Sequence, residues 1–246
     1  NENLLYGANS VVALTPMLAD IVAVQTLYGI STSTRPGDTT YGYNSNAGPV
    51  YDAAVYPDVA FTIYDTGGTD TLDYSESAWD GSQIINLNPE TFSNVAGGRS
   101  NLAIARGVVI ENAIGGAGFD SIVGNSADNL LIGGGGSDII SYATATAGVI
   151  VDLSITTDQD TVGAGRDSIE GFEHLVGSSF DDALTASAST ESIRAGSGND
   201  LVRSAAGADA NAITAYGDQG DDTFILHALG NHVEGGVGFD IADFSN

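Results

Sequence analysis

The segment GGAGFDSIVGNSADNLLIGGGGSDIIS, residues 115–141, is three nine-residue units laid end to end. Glycine pairs return at 115/116 and 133/134, acids at Asp120 and Asp138, and branched apolar residues at Ile122, Leu131 and Ile140. The frame recurs as GSSFDDALT, ASASTESIR and AGSGNDLVR from 177, and as GDQGDDTFI, LHALGNHVE and GGVGFDIAD from 217. In each run the first and third units keep glycine and acid, while the middle one is degraded. A fixed period means one structural unit repeated along an axis, each copy burying its apolar face only against its neighbours.

A strand of about three residues, alternating in and out, points the branched residue inward. The loop that follows must turn back sharply, and glycine adopts positive φ there at no steric cost. Two units close one turn of the coil. Loops one turn apart therefore stack on the same side, pairing 115–120 with 133–138, 177–182 with 195–200, and 217–222 with 235–240. Each pair gathers two aspartates and several carbonyls, a cage of hard oxygen donors without nitrogen or sulfur. That chemistry suits calcium, which takes about 6–8 oxygens at roughly 2.3–2.6 Å, and nonapeptides of this form are calcium-binding β-helix repeats. The candidate ligands are Gly116, Gly118 and Asp120; Gly134, Gly136 and Asp138; Asp182; Gly196, Gly198 and Asp200; Gly217, Gly220 and Asp222; and Gly236, Gly238 and Asp240. The alternation of intact and degraded units predicts several calcium ions, mainly on one side of each run. Asn129, Glu191 and Asn231, in the degraded units, fit hydrogen-bonded turns better than ligation. The competing account of each aspartate is a solvated acidic turn.

Charge supports a cation partner. Six basic residues, all arginine, face 32 acids, giving a formal charge of −26. Such a field repels nucleic acid and anionic membrane surfaces, while a hydrophobic content of 42% argues against disorder. Cysteine is absent, so no disulfide or thiolate site is available and a metal is the natural staple. No apolar run approaches the roughly 20 residues a bilayer requires, so no membrane insertion is expected. The opening NENLLYGANS has neither the basic nor the apolar region of a secretory signal peptide. Cytoplasmic location, a fragment, or export without an N-terminal signal are the options.

Ahead of the repeats, TPMLADIVAVQTLYG (15–29) reads as a helix. Thr15 can cap it, Pro16 suits its first position and Gly29 ends it. Leu18, Ile21, Val22, Gln25 and Tyr28 share one mostly apolar face. VAFTIYD and SQIINLN read as strands.

Several segments together resemble serralysins, bacterial zinc endopeptidases with a C-terminal calcium-binding β-roll: LADIVAVQTLYG, STRPGDTTYGYNS, DTGGTDTLDYS, INLNPETFSNVAGG and IARGVVIENAIGGAGFD. They stand in the family's order and cover most of residues 15–141; 142–246 looks like generic RTX sequence. The resemblance implies further calcium ligands before the roll: backbone oxygens near Arg35, Gly37 and Thr39, then Asp65, Gly67, Gly68 and Asp70, with Asp70 between two ions, and Val109 and Glu111. It also implies a division into a helical remnant of a catalytic domain (1–30), a β-rich linking region with calcium loops (31–114) and an RTX β-roll (115–246). The expected fold is mainly β: a parallel roll preceded by a strand-rich region and a short N-terminal helix.

The chain departs from the family in one respect. Serralysins carry zinc on HExxHxxGxxH, and two histidines at i and i+4 with a glutamate base are the minimum for that chemistry. The histidines here, His174, His227 and His232, form no such pattern, and they are expected to be exposed or hydrogen-bonded. The expectation is a chain inactive alone, with zinc only in a catalytic domain not present here. By the same resemblance, its partners are calcium ions, its own N-terminal catalytic domain and a type I secretion apparatus, and its location is secreted and extracellular. A stand-alone secreted RTX binding or adhesion protein is the alternative. Trp79 and the tyrosines, scattered as they are, fit packing better than a carbohydrate face.

Overall fold

A computed structural model describes residues 12–57, 59–77, 81–205, 212–227 and 230–244. It is mainly β, with many parallel strands and one short α-helix, Leu18–Tyr28, among the described residues. The chain forms two compact units. One runs to Ile122 and includes Gly134–Gly136; the other comprises Val123–Gly133 and Ser137 onward. Among the described residues no helix is long and apolar enough to cross a membrane. Trp79 lies outside the described residues.

In the first unit the helix stops where the sequence says, at Gly29 with φ +85°, whose N–H donates to Gln25 O. Its start differs from expectation. The cap is Met17, whose N–H donates to Asp20 Oδ2 at 3.0 Å, and Pro16 lies before the helix. Thr15 does not cap, because its hydroxyl accepts the Thr62 N–H at 2.8 Å and ties the chain to strand Val59–Ile63. A tertiary partner outcompeted the local one. Leu18, Ile21, Val22 and Gln25 are half-buried, but Tyr28 is 83% exposed and leaves the shared face.

Strands Thr40–Gly42, Thr71–Asp73 and Asn112–Ile114 pair in parallel with Tyr41, Leu72 and Ala113 in register, all fully buried. Strand Val59–Ile63 pairs in parallel with Leu102–Ile104 on one side and Val12–Ala13 on the other. Both sequence-read strands are present, SQIINLN as Gln83–Asn86.

The second unit is a roll of parallel three-residue steps. One sheet contains Ile139–Ser141, His174–Val176, Ser192–Ser197, Thr214–Gln219 and His232–Val237. The other contains Ile150–Asp152, Ala183–Thr185, Leu201–Arg203, Thr223–Ile225 and Ile241–Asp243. In the first four strands of each sheet the middle residue of the triplet is buried, Ile140, Leu175, Ile193 and Ala215 in the first and Val151, Leu184, Val202 and Phe224 in the second, whereas in the last turn Val233 is half-buried and Ala242 exposed. Burying a large apolar side chain is worth about 1.5–3 kcal/mol, and each coil gains only two such residues. The core of a single turn is therefore thin.

The less regular segments GVIVDLSI and GFEHLVG supply strands to these same sheets. The second and third repeat runs form one stack rather than two. Ser192 pairs with Thr214 and Leu201 with Thr223, so a longer step joins the runs. The expected pairings stand, and 195–200 additionally lies beside 217–222.

Candidate metal-binding loops

Each intact loop of the roll has six positions, the last being its aspartate. Across the stack these aspartates form a ladder. Val149 N–H donates to Asp182 Oδ1 at 2.7 Å, Asp182 N–H to Asp200 Oδ1 at 2.8 Å, Asp200 N–H to Asp222 Oδ1 at 2.9 Å, and Asp222 N–H to Asp240 Oδ1 at 3.1 Å. A second ladder runs the opposite way one residue earlier. Asn199 N–H donates to Asp181 Oδ1, Asp221 N–H to Asn199 Oδ1, and Phe239 N–H to Asp221 Oδ1. Asp181, Asn199 and Asp221 were missed from sequence, although a polar residue at the fifth position of consecutive loops was visible there.

The ladder uses one carboxylate oxygen and leaves the other to the loop. In the loops before Asp200 and Asp222, Oδ2 is buried and has no hydrogen-bond partner. Both loops are left-handed at positions two and four: Gly196 and Gly198 have φ of +116° and +129°, Asp218 and Gly220 of +71° and +129°. A side chain at Gly198 would strike the Phe180 carbonyl, and one at Gly220 the Gly198 carbonyl. Loops thus lie flat on one another, with carbonyl oxygens in columns beside the buried carboxylates. Gly236 and Gly238 repeat the arrangement over the Asp218 and Gly220 carbonyls. Gly217, at position one, packs against the Asp222 carboxylate and the Gly235 carbonyl.

Asp182 behaves differently. Its Oδ2 accepts the Ser178 N–H at 2.6 Å, and its Oδ1 accepts the Ser178 hydroxyl at 2.7 Å as well as Val149 N–H. Both oxygens are engaged, and the loop closes on its own aspartate. In the first unit Asp120 does the same, with Oδ2 accepting Gly116 N–H at 2.6 Å and Oδ1 accepting Gln83 N–H at 2.9 Å. Neither Gly116 nor Gly118 is left-handed, whereas Gly134 (+104°) and Gly136 (+124°) are, each lying over the Gly116 and Gly118 carbonyls. Asp138 is fully buried, and its N–H donates to Glu173 Oε2 at 2.8 Å, so Glu173 takes the ladder role there without having been foreseen.

The earlier loops of the first unit assemble in the same fashion. Asp70 Oδ1 accepts Thr39 N–H at 2.9 Å, while its Oδ2 is buried without a partner. Asp70 N–H donates to Glu111 Oε2 at 2.7 Å. Gly68 (φ +129°) packs on the Gly37 carbonyl, and Thr39 Oγ1 donates to Gly37 O. Arg35–Thr39, Asp65–Asp70 and Glu111 are therefore brought together, with Val109 half-exposed two residues before Glu111. Asp65 is engaged: Tyr41 OH donates to its Oδ2 at 2.6 Å, and Thr66 and Gly67 N–H to its Oδ1. Tyr41 too was not foreseen.

Burial pushes the carboxyls of Asp70 and Asp200 up to about 7, reinforced by acids nearby (Asp65 and Glu111 around the first, Asp182 and Asp222 around the second). Asp182 and Asp222 are raised by the same cause. Among the described residues no group of three or more His, Cys, Asp or Glu side chains is arranged to hold a metal. Any cation would therefore take most of its oxygens from the carbonyl columns, with about one carboxylate from each turn, a donor set that fits calcium and not zinc. Turns in the degraded units are hydrogen-bonded, as expected of Asn129, whose Oδ1 accepts Asn125 N–H, and of Asn231, whose Oδ1 accepts Ile213 N–H. His174 lies between the hydroxyls of Ser137 and Ser192 at 2.9 and 2.7 Å, and His232 is exposed beside Glu234.

Stacked glycine loops on a parallel roll, preceded by the 35–39/65–70 pair, agree with what comparison with known families finds. The family model Peptidase M10 serralysin C terminal matches residues 30–245. The chain belongs to this family. A metallopeptidase AprA of Pseudomonas marginalis is 47% identical over 133 residues, which cover 53% of this chain and 28% of that protein. A serralysin of Proteus mirabilis is 51% identical and one of Photorhabdus laumondii 48%, each over 118 residues, 47% of this chain and 24% of the relative. The serralysin C-terminal chain thus spans about a quarter of the length of these curated relatives.

Proposed function

We propose that this chain is the calcium-folded C-terminal module of a secreted serralysin-like zinc metalloendopeptidase. In that role it would fold on extracellular calcium, support type I secretion and carry the catalytic domain, where zinc would reside. The observation that carries the calcium reading is the buried, partnerless Oδ2 of Asp70, Asp200 and Asp222. A buried carboxylate costs several kcal/mol unless paired or bound to a metal. These oxygens sit beside stacked carbonyls, in a chain with 26 excess negative charges. Arg35, Gly37, Thr39, Asp65, Gly67, Gly68, Asp70, Val109 and Glu111 would hold ions ahead of the roll; the glycines and aspartates of 196–200, 217–222 and 236–240 would hold them in the second unit.

Calcium changes the energetics in a defined way. A ligand that binds only the folded state stabilises by RT ln(1 + [L]/Kd), about 2.7 kcal/mol per site at a hundredfold excess over Kd. With Kd of roughly 10⁻⁴–10⁻³ M, usual for extracellular modules, the roll stays open inside the cell and closes outside. That suits passage through a secretion channel as an unfolded chain. The test is far-UV circular dichroism in chelator followed by a calcium titration. A cooperative gain of β signal between about 0.1 and 10 mM calcium, absent with magnesium, is expected. A chain fully folded in chelator and indifferent to calcium would overturn the proposal.

A further inference from the structure

Beneath the helix Leu18–Tyr28 lies a cavity of about 290 Å³ whose walls include Ile21, Val24, Gln25, Arg35, Tyr51 and Tyr64. We infer that it binds a small carboxylate with an apolar body, anchored by the Arg35 guanidinium.

Arg35 is held rigidly at this wall. Its guanidinium carbon stands 4.5 Å over the Tyr51 ring, and Tyr51 is itself fixed edge-on against Tyr41 at 5.4 Å and Phe61 at 5.3 Å. Nη1 donates to Tyr64 O at 3.1 Å. One face of the fork is thus stacked and one donor used, leaving further N–H groups for a planar acceptor. An arginine preorganised in this way suits a carboxylate, which it can meet with two parallel hydrogen bonds.

Its charge is uncompensated. Arg106, Arg166 and Arg194 each pair with a carboxylate, while Arg35, Arg99 and Arg203 have no acid within ion-pair distance among the described residues; of these three only Arg35 is half-buried, the other two being exposed. In a chain with 32 acids and six bases, a half-buried arginine without an acid partner is an unusual placement. The backbone adds a second observation. Arg35 has φ +48°, a conformation uncommon for a long side chain and one that clusters at ligand clamps.

The ligand class follows from the surroundings. Ile21, Val24 and Tyr51 offer an apolar body-binding wall, and the net charge of −26 disfavours polyanions such as nucleotides. A monocarboxylate with an aromatic or branched tail meets both conditions. Only the Arg35 side chain is used, so its carbonyl remains available to the calcium loop.

The test titrates 4-phenylbutyrate and its neutral isostere 4-phenyl-1-butanol into the whole chain by calorimetry, with calcium constant at about 10 mM, above the usual Kd range of such modules. The acid is expected to bind saturably with Kd on the order of 0.1–1 mM, and the alcohol about tenfold or more weaker. Arg35→Asn keeps a residue type that tolerates left-handed φ and should remove the preference for the acid while preserving the circular dichroism spectrum. Val24→Trp, at a 54% exposed position, should block both ligands and keeps the test decisive should Arg35→Asn fail to fold. No saturable binding of the acid, equal binding of acid and alcohol, or full acid binding by Val24→Trp would each overturn the inference.

Discussion

The loops ending in Asp182 and Asp200 occupy consecutive turns of one stack, yet their aspartates do opposite things. The first has serine and phenylalanine at positions two and four, and Ser178 fills both carboxylate oxygens with its N–H and hydroxyl. The second has glycine at both, follows a left-handed path and leaves Asp200 Oδ2 buried and unmet. An acid in register with glycine is therefore not sufficient for a metal site. The backbone path at positions two and four separates the two outcomes: where both are left-handed, as before Asp200 and Asp222, the aspartate faces a carbonyl column, and where neither is, as at Gly116 and Gly118, Asp120 caps its own turn despite the glycines.

The largest expected effect comes from breaking the open loop at its acid. Asp200→Ala removes the acceptor of Asp182 N–H together with the buried oxygen. Stability in calcium should fall by about 3 kcal/mol, with at least one ion fewer per chain by equilibrium dialysis; an unchanged ion count would place Asp200 with Asp182 as a cap. Gly198→Ala attacks the backbone path instead. At φ +129° with the Phe180 carbonyl beneath it, an added methyl should cost about 1–3 kcal/mol and raise the calcium concentration at the folding midpoint.

Asp167 sharpens the contrast from outside the metal loops. Its carboxylate accepts Tyr142 OH at 2.8 Å, Thr161 Oγ1 at 3.3 Å and Asn129 N–H at 3.0 Å, so hydroxyls rather than an ion satisfy it. Burial nonetheless raises its pKa to about 6. A carboxyl raised in the folded state favours folding while protonated. Its contribution is full below about pH 4 and is lost as pH rises to about 6, by roughly 1–3 kcal/mol. Thermal unfolding of Asp167→Asn should lack that slope; a parallel pH profile in both proteins would assign the slope elsewhere. The smallest change in stability, under about 1 kcal/mol, is expected of Ser178→Gly with Phe180→Gly. Here the lost cap offsets the gained ion, and native mass spectrometry should count one more calcium per chain.

Much of this was legible in the sequence because it is periodic. The apolar residue that the spacing points inward lies inside the roll in most units, as with Ile140, Leu184 and Val202, while in the last turn Ala242 is exposed. The helix end at Gly29 was readable from one residue. The helix start was not, since Thr15 found Thr62 across the fold. Glu173, Tyr41 and the Asp181–Asn199–Asp221 ladder were not either. Their partners lie between 18 and 35 residues away, and no local signal encodes which backbone N–H a distant carboxylate will meet.

By itself the sequence determined the coil, its thin core, the absence of any thiol or zinc motif and the excess of acid, because period and composition are properties of the chain. Only the tertiary structure decided how the runs join into one stack and which carboxylates are used up. Those depend on register between turns, and register is set by packing that brings distant backbone groups within hydrogen-bonding reach.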